Sequence, residues 1–166
     1  MKSSSVNAVI LSEDKQKILI IKRRDTPIWV IPGGTIEEGE SPEEAIVREV
    51  AEETGCKVAI SRKSGIYHPV NRLTVTTHVF VCEVLSGTPE VGNETRDIGF
   101  FALDSLPKEF FHVHKDLVDD AIENGDAIIE KSLTQITYFN LFKYFLRHPI
   151  RVIRFILSQM GLPINS

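Results

Sequence analysis

Short strand patterns dominate the N-terminal part of the chain. Val6–Leu11 and Lys17–Lys22 are rich in aliphatic residues and are separated by a polar turn, which is typical of two paired strands. Trp29–Ile31 continues the pattern and stops at a Pro-Gly-Gly sequence, a strong loop signal. This part of the chain is therefore predicted to form three strands.

A helix is predicted from Ser41 to Thr54, with a sequence signal at each end. Ser41 suits the N-cap, a proline follows at the first helical position, and Glu44 completes a capping box. Gly55 follows the last helical residue, where a glycine ends many helices. The boundaries of this helix are therefore sharply predicted.

Shorter patterns predict the remaining elements. Strands are expected where β-branched and aromatic residues cluster, at Lys57–Ile60, Gly65–His68, Leu73–Val84 and Ile98–Ala102. Helical patterns occur at three further places, with a short helix starting at Leu106-Pro107 and longer ones at His114–Glu123 and Ala127–Lys131. This order of elements predicts an α/β domain in which a mixed sheet lies between helices.

The composition is that of an ordinary globular protein, since 42% of the 166 residues are hydrophobic and 25% are charged. This length suits one domain with room for an appendage. Cys56 and Cys82 have no paired spacing, so we expect two reduced core thiols of a cytoplasmic protein. No apolar run has the roughly 20 residues of a membrane span or the pattern of a signal peptide.

Charge divides the chain into two regions. The net charge is −4, yet the segment from Lys131 to Ser166 has no acidic residue and carries +5, which leaves −9 on the first 130 residues. We therefore predict a globular domain over residues 1–131 and a basic, amphipathic helical appendage over residues 132–166. Such an appendage either lies on an anionic membrane or packs against the domain or the second subunit of a homodimer. Packing is the commoner arrangement.

Three glutamates share one side of the predicted helix. At about 100° per residue, Glu49, Glu52 and Glu53 lie within roughly a third of a turn, opposite an apolar side. A bound divalent cation would offset the repulsion between these carboxylates, whereas most glutamate runs on helices are only solvated surfaces. The glycine-rich loop before the helix and the adjacent Arg48 favour the metal site, because they supply close backbone approach and a fixed positive charge.

The segment Gly34–Cys56 resembles the Nudix box, whose pattern is G, five residues, E, seven residues, then R-E-apolar-x-E-E-x-G-apolar. All nine fixed positions are filled in register, by Gly34, Glu40, Arg48, Glu49, Val50, Glu52, Glu53, Gly55 and Cys56. Cys56 is a mild departure, since an aliphatic residue is usual there. The similarity extends over most of residues 6–107.

This resemblance implies the Nudix fold, a mixed sheet sandwiched between helices, and the activity of a pyrophosphohydrolase. The implied reaction cleaves the pyrophosphate linkage of a nucleoside diphosphate joined to another group, such as a nucleotide sugar, a dinucleotide or a (d)NTP. Glu49, Glu52 and Glu53 would bind Mg²⁺, with Mn²⁺ as the alternative ion, and the carbonyl of Gly33 would be a further ligand.

The resemblance also implies roles for residues around these ligands. Arg48 and Glu40 would hold the loop and the helix together. The general base varies within the family between a glutamate of the box and one from a later loop. Glu49, Glu52 and Glu94 are therefore all candidates, although Glu94 is equally well explained as a solvated loop acid.

Residues outside the box determine the substrate. Tyr67 would stack on a base and Arg72 would bind a phosphate, or both are ordinary residues at a strand end. Arg24, with its neighbour Arg23, is a weaker candidate for phosphate binding, and Gly34 would let the substrate approach the backbone.

Two other classes of function remain open at this point. One is a binding module that senses a nucleotide without turnover, against which the intact glutamates argue. The other is a protein docked to a membrane or a partner through its basic appendage. The acidic domain argues against long nucleic acid as a ligand. His112 and His114 have no metal-like spacing and are expected at the surface or in packing contacts.

Overall fold

The computed structural model describes residues 4–137 of the chain. Most of the predicted appendage, from residue 138 onward, lies outside the described residues, so its membrane and subunit contacts stay predictions. The described chain forms eight strands, β1 Ser4–Ile10, β2 Lys17–Arg23, β3 Trp29–Val30, β4 Gly33–Thr35, β5 Lys57–Pro69, β6 Thr76–Ser86, β7 Thr95–Ala102 and β8 Ile129–Leu133. It also forms two helices, α1 Pro42–Thr54 and α2 His112–Glu123.

The strands form two sheets. The larger has the order β4-β1-β6-β5-β8 and the smaller has the order β3-β2-β7. β1 runs parallel to β6 and β5 runs parallel to β8, while the other pairs are antiparallel. The predicted α/β class with a mixed sheet is therefore confirmed, with three of the strands set apart in a sheet of their own.

Alternating side chains of the larger sheet pack into two separate clusters. Ala8 and Phe80 lie in the cluster with Ile46 and Val50 of α1. Val9 and Val79, their neighbours along β1 and β6, lie in the cluster with α2 and the smaller sheet. Because successive strand residues face opposite sides, β1 and β6 supply both clusters and hold α1 and α2 on the two sides of the sheet.

The local signals that predicted α1 are all present. The side chain of Ser41 accepts the Glu44 N–H, and the Glu44 carboxylate accepts the Ser41 N–H, which completes the capping box. Gly55 closes the helix with a φ of 71°, in the left-handed region that favours glycine. The helix axis is thus fixed from both ends, and with it the direction of every glutamate along the helix.

Three predictions of secondary structure need correction. Lys57–Ile60 and Gly65–His68 are one strand, β5, whose register shifts mark bulges rather than an interruption. Ala127–Lys131 is wrong as a helix, because β8 pairs with the middle of β5 and tertiary pairing overrides a short local pattern. Leu106-Pro107 lies between turns, and α2 begins at His112.

β8 also crosses the boundary drawn between residues 131 and 132, since it continues to Leu133 in the larger sheet. Among the described residues, no helix is long and apolar enough to cross a membrane. Cys56 and Cys82 are both buried and unpaired, as predicted for core thiols. Burial raises the pKa of the Cys82 thiol to about 12.

Candidate active site

Gly33 is the first residue of β4, where this strand pairs with β1. It pairs with Asn7 and has a φ of 153°, which only glycine adopts readily. A Cβ at this position would lie 2.1 Å from the carbonyl oxygen of Val6. A glycine is therefore required here both by the backbone conformation and by the neighbouring strand.

Glu53 is buried near the end of α1 and is directed at this glycine. One carboxylate oxygen, Oε2, accepts the Gly33 N–H at 2.8 Å, and the residue is only 8% exposed. Burial raises the pKa of Glu53 to about 7, and the negative charges of Glu49 and Glu94 add to the effect. The Gly33 N–H and the positive charge of Arg23 oppose it.

Glu49 lies one helical turn earlier and covers Gly34. A Cβ on Gly34 would be 2.3 Å from Glu49 Oε1, so the carboxylate occupies the space that any larger residue would need. Burial raises the pKa of Glu49, opposed by the hydrogen bond and charge of Arg48. Glu49 and Glu53 are therefore two partly desolvated carboxylates that repel each other beside the Gly33–Gly34 backbone.

Arg48 joins the loop before the helix to the helix itself. Its guanidinium forms a two-bond fork with Glu40, with Nε–Oε1 and Nη2–Oε2 distances of 2.9 Å. Nη2 also donates to the carbonyl oxygen of Thr35 at 3.1 Å. Nη1 lies 3.0 Å from Glu49 Oε1 and 3.4 Å from Glu52 Oε2. Glu40 and then Glu49 raise the pKa of Arg48, which stays charged while it braces β4 against α1.

Glu52 is the most exposed of the three helix glutamates, with 61% of its side chain accessible. Within residues 4–137, no three His, Cys, Asp or Glu side chains converge closely enough to hold a metal ion. The donors themselves still fit a hard cation, because Glu49 and Glu53 are carboxylates whose mutual repulsion and desolvation a divalent ion would relieve. The complete set of ligands therefore remains a prediction.

The loop before β7 brings Glu94 to the same place. The N–H of Glu90 donates to the Thr54 carbonyl at 2.8 Å, and Thr95 Oγ1 donates to the Glu53 carbonyl at 3.1 Å. The loop is thus tied to the end of α1. Glu94 is exposed on this loop, and its charge raises the pKa of both Glu49 and Glu53.

Arg23 supplies positive charge near these acids. Its guanidinium is held by Asp25, with Nε–Oδ1 and Nη2–Oδ2 distances of 2.9 and 2.7 Å, and it interacts electrostatically with Glu53 and Glu94. Arg24, the other candidate from the sequence, instead donates from Nη2 to the Thr95 carbonyl at 3.0 Å. Of the two arginines, Arg23 therefore has its charge directed at the site.

A family model of the NUDIX domain matches residues 1–121, the part of the chain that contains every residue of this site. The chain belongs to the Nudix family.

Relatives and solved structures agree with this assignment. A Bacillus subtilis (strain 168) protein, provisionally named an 8-oxo-dGTP diphosphatase, is 36% identical over 118 residues, which cover 70% of this chain and 78% of the relative. An ADP-ribose pyrophosphatase of Methanocaldococcus jannaschii is 37% identical over 114 residues, covering 65% of this chain and 67% of that protein. The crystal structure of an ADP-ribose pyrophosphatase from Streptococcus suis has a TM-score of 0.67 at 28% identity, covering 80% of this chain and 99% of the other. The Nudix fold and the hydrolase class predicted from the sequence are thus confirmed.

Among the described residues, two predicted substrate residues of this Nudix hydrolase form no hydrogen bond or ion pair with the α1 glutamates. Tyr67 is 3% exposed and belongs to the core cluster on the α2 side, where its hydroxyl donates to Asp120 at 2.9 Å. Burial and Asp120 together raise the pKa of this hydroxyl. Arg72 is exposed in the loop between β5 and β6 and, within residues 4–137, forms no ion pair with α1. For Tyr67, the structure favours the alternative of an ordinary strand residue.

One polar contact beside the Nudix site had no signal in the sequence. The N–H of Ile31 donates to Nδ1 of His114 at 3.2 Å, across 83 residues of chain. A histidine without ligand-like spacing gives no indication of such a partner. The expectation of a packing role is nevertheless correct in part, since the ring also contacts Phe111.

Proposed function

We propose that this Nudix hydrolase cleaves the pyrophosphate linkage of a nucleoside diphosphate joined to a second group, with the help of a divalent cation. The observation that carries the proposal is the pair of desolvated glutamates, Glu49 and Glu53, which face the Gly33–Gly34 backbone and repel each other. Holding two such carboxylates together destabilises the protein unless a bound cation or proton relieves their repulsion, and groups perturbed in this way are found mostly at functional sites.

The residues that would hold the cation are Glu49, Glu52, Glu53 and the carbonyl of Gly33. When bound, Mg²⁺ or Mn²⁺ neutralises charge on the diphosphate and lowers the pKa of a bound water. The protein keeps these ligands in place through Arg48, whose fork to Glu40 fixes the helix relative to the loop. We expect loss of this fork to weaken metal binding without removing a ligand.

Proton transfer needs a carboxylate that can reach the proton of the attacking water. Glu49, Glu52 and Glu94 are the candidates for this role, and the first and last of these interact electrostatically with Glu53. Glu94 is on a loop and exposed, so it can follow the position of an attacking water. Glu49 is instead held by Arg48. These differences favour Glu94 as the general base and Glu49 as a metal ligand in a fixed position.

Arg23 is the best-placed side chain to meet a substrate phosphate. Asp25 orients the guanidinium of Arg23 through an ion pair. The positive charge of Arg23 also interacts with the charges of Glu53 and Glu94. An arginine held in this way pre-organises its donors for phosphate oxygens. The Arg24 prediction is retained as a second candidate, with its present bond to Thr95 as a competing structural role.

The names of the relatives indicate where to begin with substrates. One is an ADP-ribose pyrophosphatase and another is provisionally named an 8-oxo-dGTP diphosphatase. We therefore propose a nucleotide of one of the predicted types, a nucleotide sugar, a dinucleotide or a (d)NTP, and place ADP-ribose first. All of these nucleotides contain a diphosphate, which a cation held by the glutamate pair can bind.

The test measures product release from ADP-ribose, NDP-sugars, dinucleoside polyphosphates, (d)NTPs including 8-oxo-dGTP, and triphosphorylated RNA. Each is incubated with wild type and Glu53→Gln, with and without Mg²⁺ or Mn²⁺. Metal-dependent cleavage that the substitution sharply reduces would support the proposal and identify the substrate class. Tight binding without turnover would instead favour a sensor, and cleavage that survives both chelation and Glu53→Gln would refute the proposed site.

A further inference from the structure

The chain crosses from one sheet to the other beside Gly33, and this crossover has a backbone donor that neither sheet uses. β3 belongs to the smaller sheet and β4 to the larger, with Ile31 between them. Ile31 is 1% exposed, so its N–H cannot turn to bulk water. It donates instead to Nδ1 of His114 at 3.2 Å. A side chain of α2 therefore completes the hydrogen bonding of the crossover.

The next two residues are held by other elements. The carbonyl oxygen of Pro32 accepts the Ala8 N–H of β1 at 2.8 Å, and the Gly33 N–H donates to Glu53 of α1 at 2.8 Å. Ile31, Pro32 and Gly33 thus contact α2, β1 and α1 in turn. Because a proline with a fixed φ lies between Ile31 and Gly33, a displacement at the first is passed on to the second.

The junction between α2 and β3 does not depend on His114 alone. The Trp29 N–H donates to the Glu109 carbonyl at 3.1 Å, and the Phe111 N–H donates to the Trp29 carbonyl at 2.9 Å. These two bonds join backbone to backbone and are unaffected by a change of side chain. A substitution of His114 therefore alters the contact to Ile31 and leaves the junction in place.

The histidine ring is suited to act as an acceptor. It packs edge-on against Phe111, with ring centroids 5.2 Å apart. Burial, and then the charge of Arg23, lowers the pKa of His114 to about 3. The ring is therefore neutral at ordinary pH, and with its proton on Nε2 it presents the Nδ1 lone pair to the Ile31 N–H.

We propose that His114 is a positioning residue of the active site, which holds the Ile31–Gly33 segment where Gly33 meets Glu53 and where its carbonyl can serve as a metal ligand. The second half of this statement rests on the proposed function. The first half concerns the metal-free protein and stands by itself. Partners bonded directly to metal ligands commonly change metal affinity or activity by about 10–100-fold when they are removed, and His114 acts one step further out, through Ile31.

Substitutions that separate the hydrogen-bond acceptor of His114 from its aromatic ring test the proposal. His114→Asn keeps an acceptor near the Nδ1 position and loses the ring, whereas His114→Phe keeps a ring against Phe111 and loses the acceptor. His114→Leu, which has nearly the shape of asparagine without its acceptor, replaces the phenylalanine variant if the larger ring prevents folding. His112→Phe is the matched control, because His112 is exposed and its ring also lies beside Phe111, at 5.3 Å.

Three readouts are compared after circular dichroism has shown that the variants are folded. They are amide hydrogen exchange at Gly33 in metal-free protein, Mn²⁺ affinity from the electron paramagnetic resonance of free Mn²⁺, and kcat and KM for the best substrate. For His114→Phe we expect faster exchange, Mn²⁺ binding and kcat reduced by about 10-fold or more, and little change in KM. His114→Asn and His112→Phe should remain close to wild type.

Wild-type values for both acceptor-free variants would overturn the proposal. So would a larger loss for asparagine than for phenylalanine, because that order would show that ring packing is what matters. If the wild type neither binds Mn²⁺ nor cleaves any nucleotide, the proposed function fails. In that case the exchange rate at Gly33, which needs no metal, still decides whether His114 positions the segment.

Discussion

The two helices each carry a cluster of acidic residues, and the clusters differ in what surrounds them. On α2, Asp119 pairs with Lys115 at 2.6 Å on the surface. The less exposed Asp120 pairs with Lys131 at 2.6 Å and accepts the Tyr67 hydroxyl. On α1, Glu53 is buried against a backbone N–H, and Glu49 shares one arginine with its neighbours.

This contrast separates acids that repel each other from acids that each have a cationic partner of their own. Surface acids with their own lysines cost little and contribute little, because water and the partner charge both stabilise them. Desolvated acids that repel each other destabilise the fold until a proton or a cation arrives. Acidic residues on a helix are therefore informative here through their mutual repulsion and their lack of separate partners, rather than through their number.

The largest expected effect is on turnover. Glu53→Gln removes the buried charge while keeping the shape, and we expect kcat to fall on the order of 100-fold or more, at least as much as loss of an outer partner of a metal ligand. Asp119→Asn on α2 is the matched control and should leave kcat unchanged. Equal effects of the two substitutions on kcat would break the comparison between the helices.

The next effect is a pH dependence of stability in metal-free protein. The pKa of Glu53 is raised from 4.5 to about 7 on folding, so the folded state binds more protons between these values. The contribution of Glu53 to the free energy of unfolding is therefore fully present below pH 4.5 and is lost as the pH rises through 7. This loss is at most about 3 kcal/mol. Urea denaturation from pH 4.5 to 8 should show this decline in wild type. The Glu53→Gln curve should be flatter over that interval, and parallel curves would contradict the prediction.

Arg48→Lys should have a smaller effect. Lysine keeps the charge but cannot reproduce the two-bond fork to Glu40 together with the bond to the Thr35 carbonyl. We expect metal affinity and kcat to fall by about 10-fold, at the lower end for an outer partner. Metal titration followed by kinetics checks this. An unchanged metal affinity would show that the brace is not needed to hold the carboxylates.

The smallest effect belongs to α2. Lys115→Ala removes an exposed ion pair with Asp119, four residues along the helix, and should change the free energy of unfolding by less than about 0.5 kcal/mol. Denaturant unfolding measures it directly. A loss several times larger would mean that the α2 acids are not simply solvated, and the contrast with α1 would be weaker than described.

Much of the site was predictable because its signals are local. The helix glutamates, Arg48 and the capping residues of α1 all lie within one segment of 23 residues, Gly34–Cys56, whose helical geometry fixes which side chains share a face. Gly33 and Gly34 stand out for the same reason, since a glycine pair before a helix indicates close backbone contacts. The structure adds that Cβ atoms there would collide with Val6 and Glu49.

The structural features that the sequence did not predict depend on contacts between distant segments. The β8 segment looked helical because its pairing with β5 involves residues about 64 positions away, such as Ile129 with Gly65. Arg23 was a candidate in the sequence, but its interactions with Glu53 and Glu94 join it to residues 30 and 71 positions later. Local periodicity carries no information about such partners.

The most direct test of the central account is a titration of the glutamate carboxyl carbons by NMR, with Glu53 assigned by comparison with Glu53→Gln. In metal-free protein the account predicts a pKa for Glu53 near 7, which falls well below that value when Mg²⁺ is added, because a bound cation favours the ionised form. A Glu53 pKa near 4.5 that Mg²⁺ does not change would contradict it, since the carboxylate would then be neither desolvated nor a metal ligand.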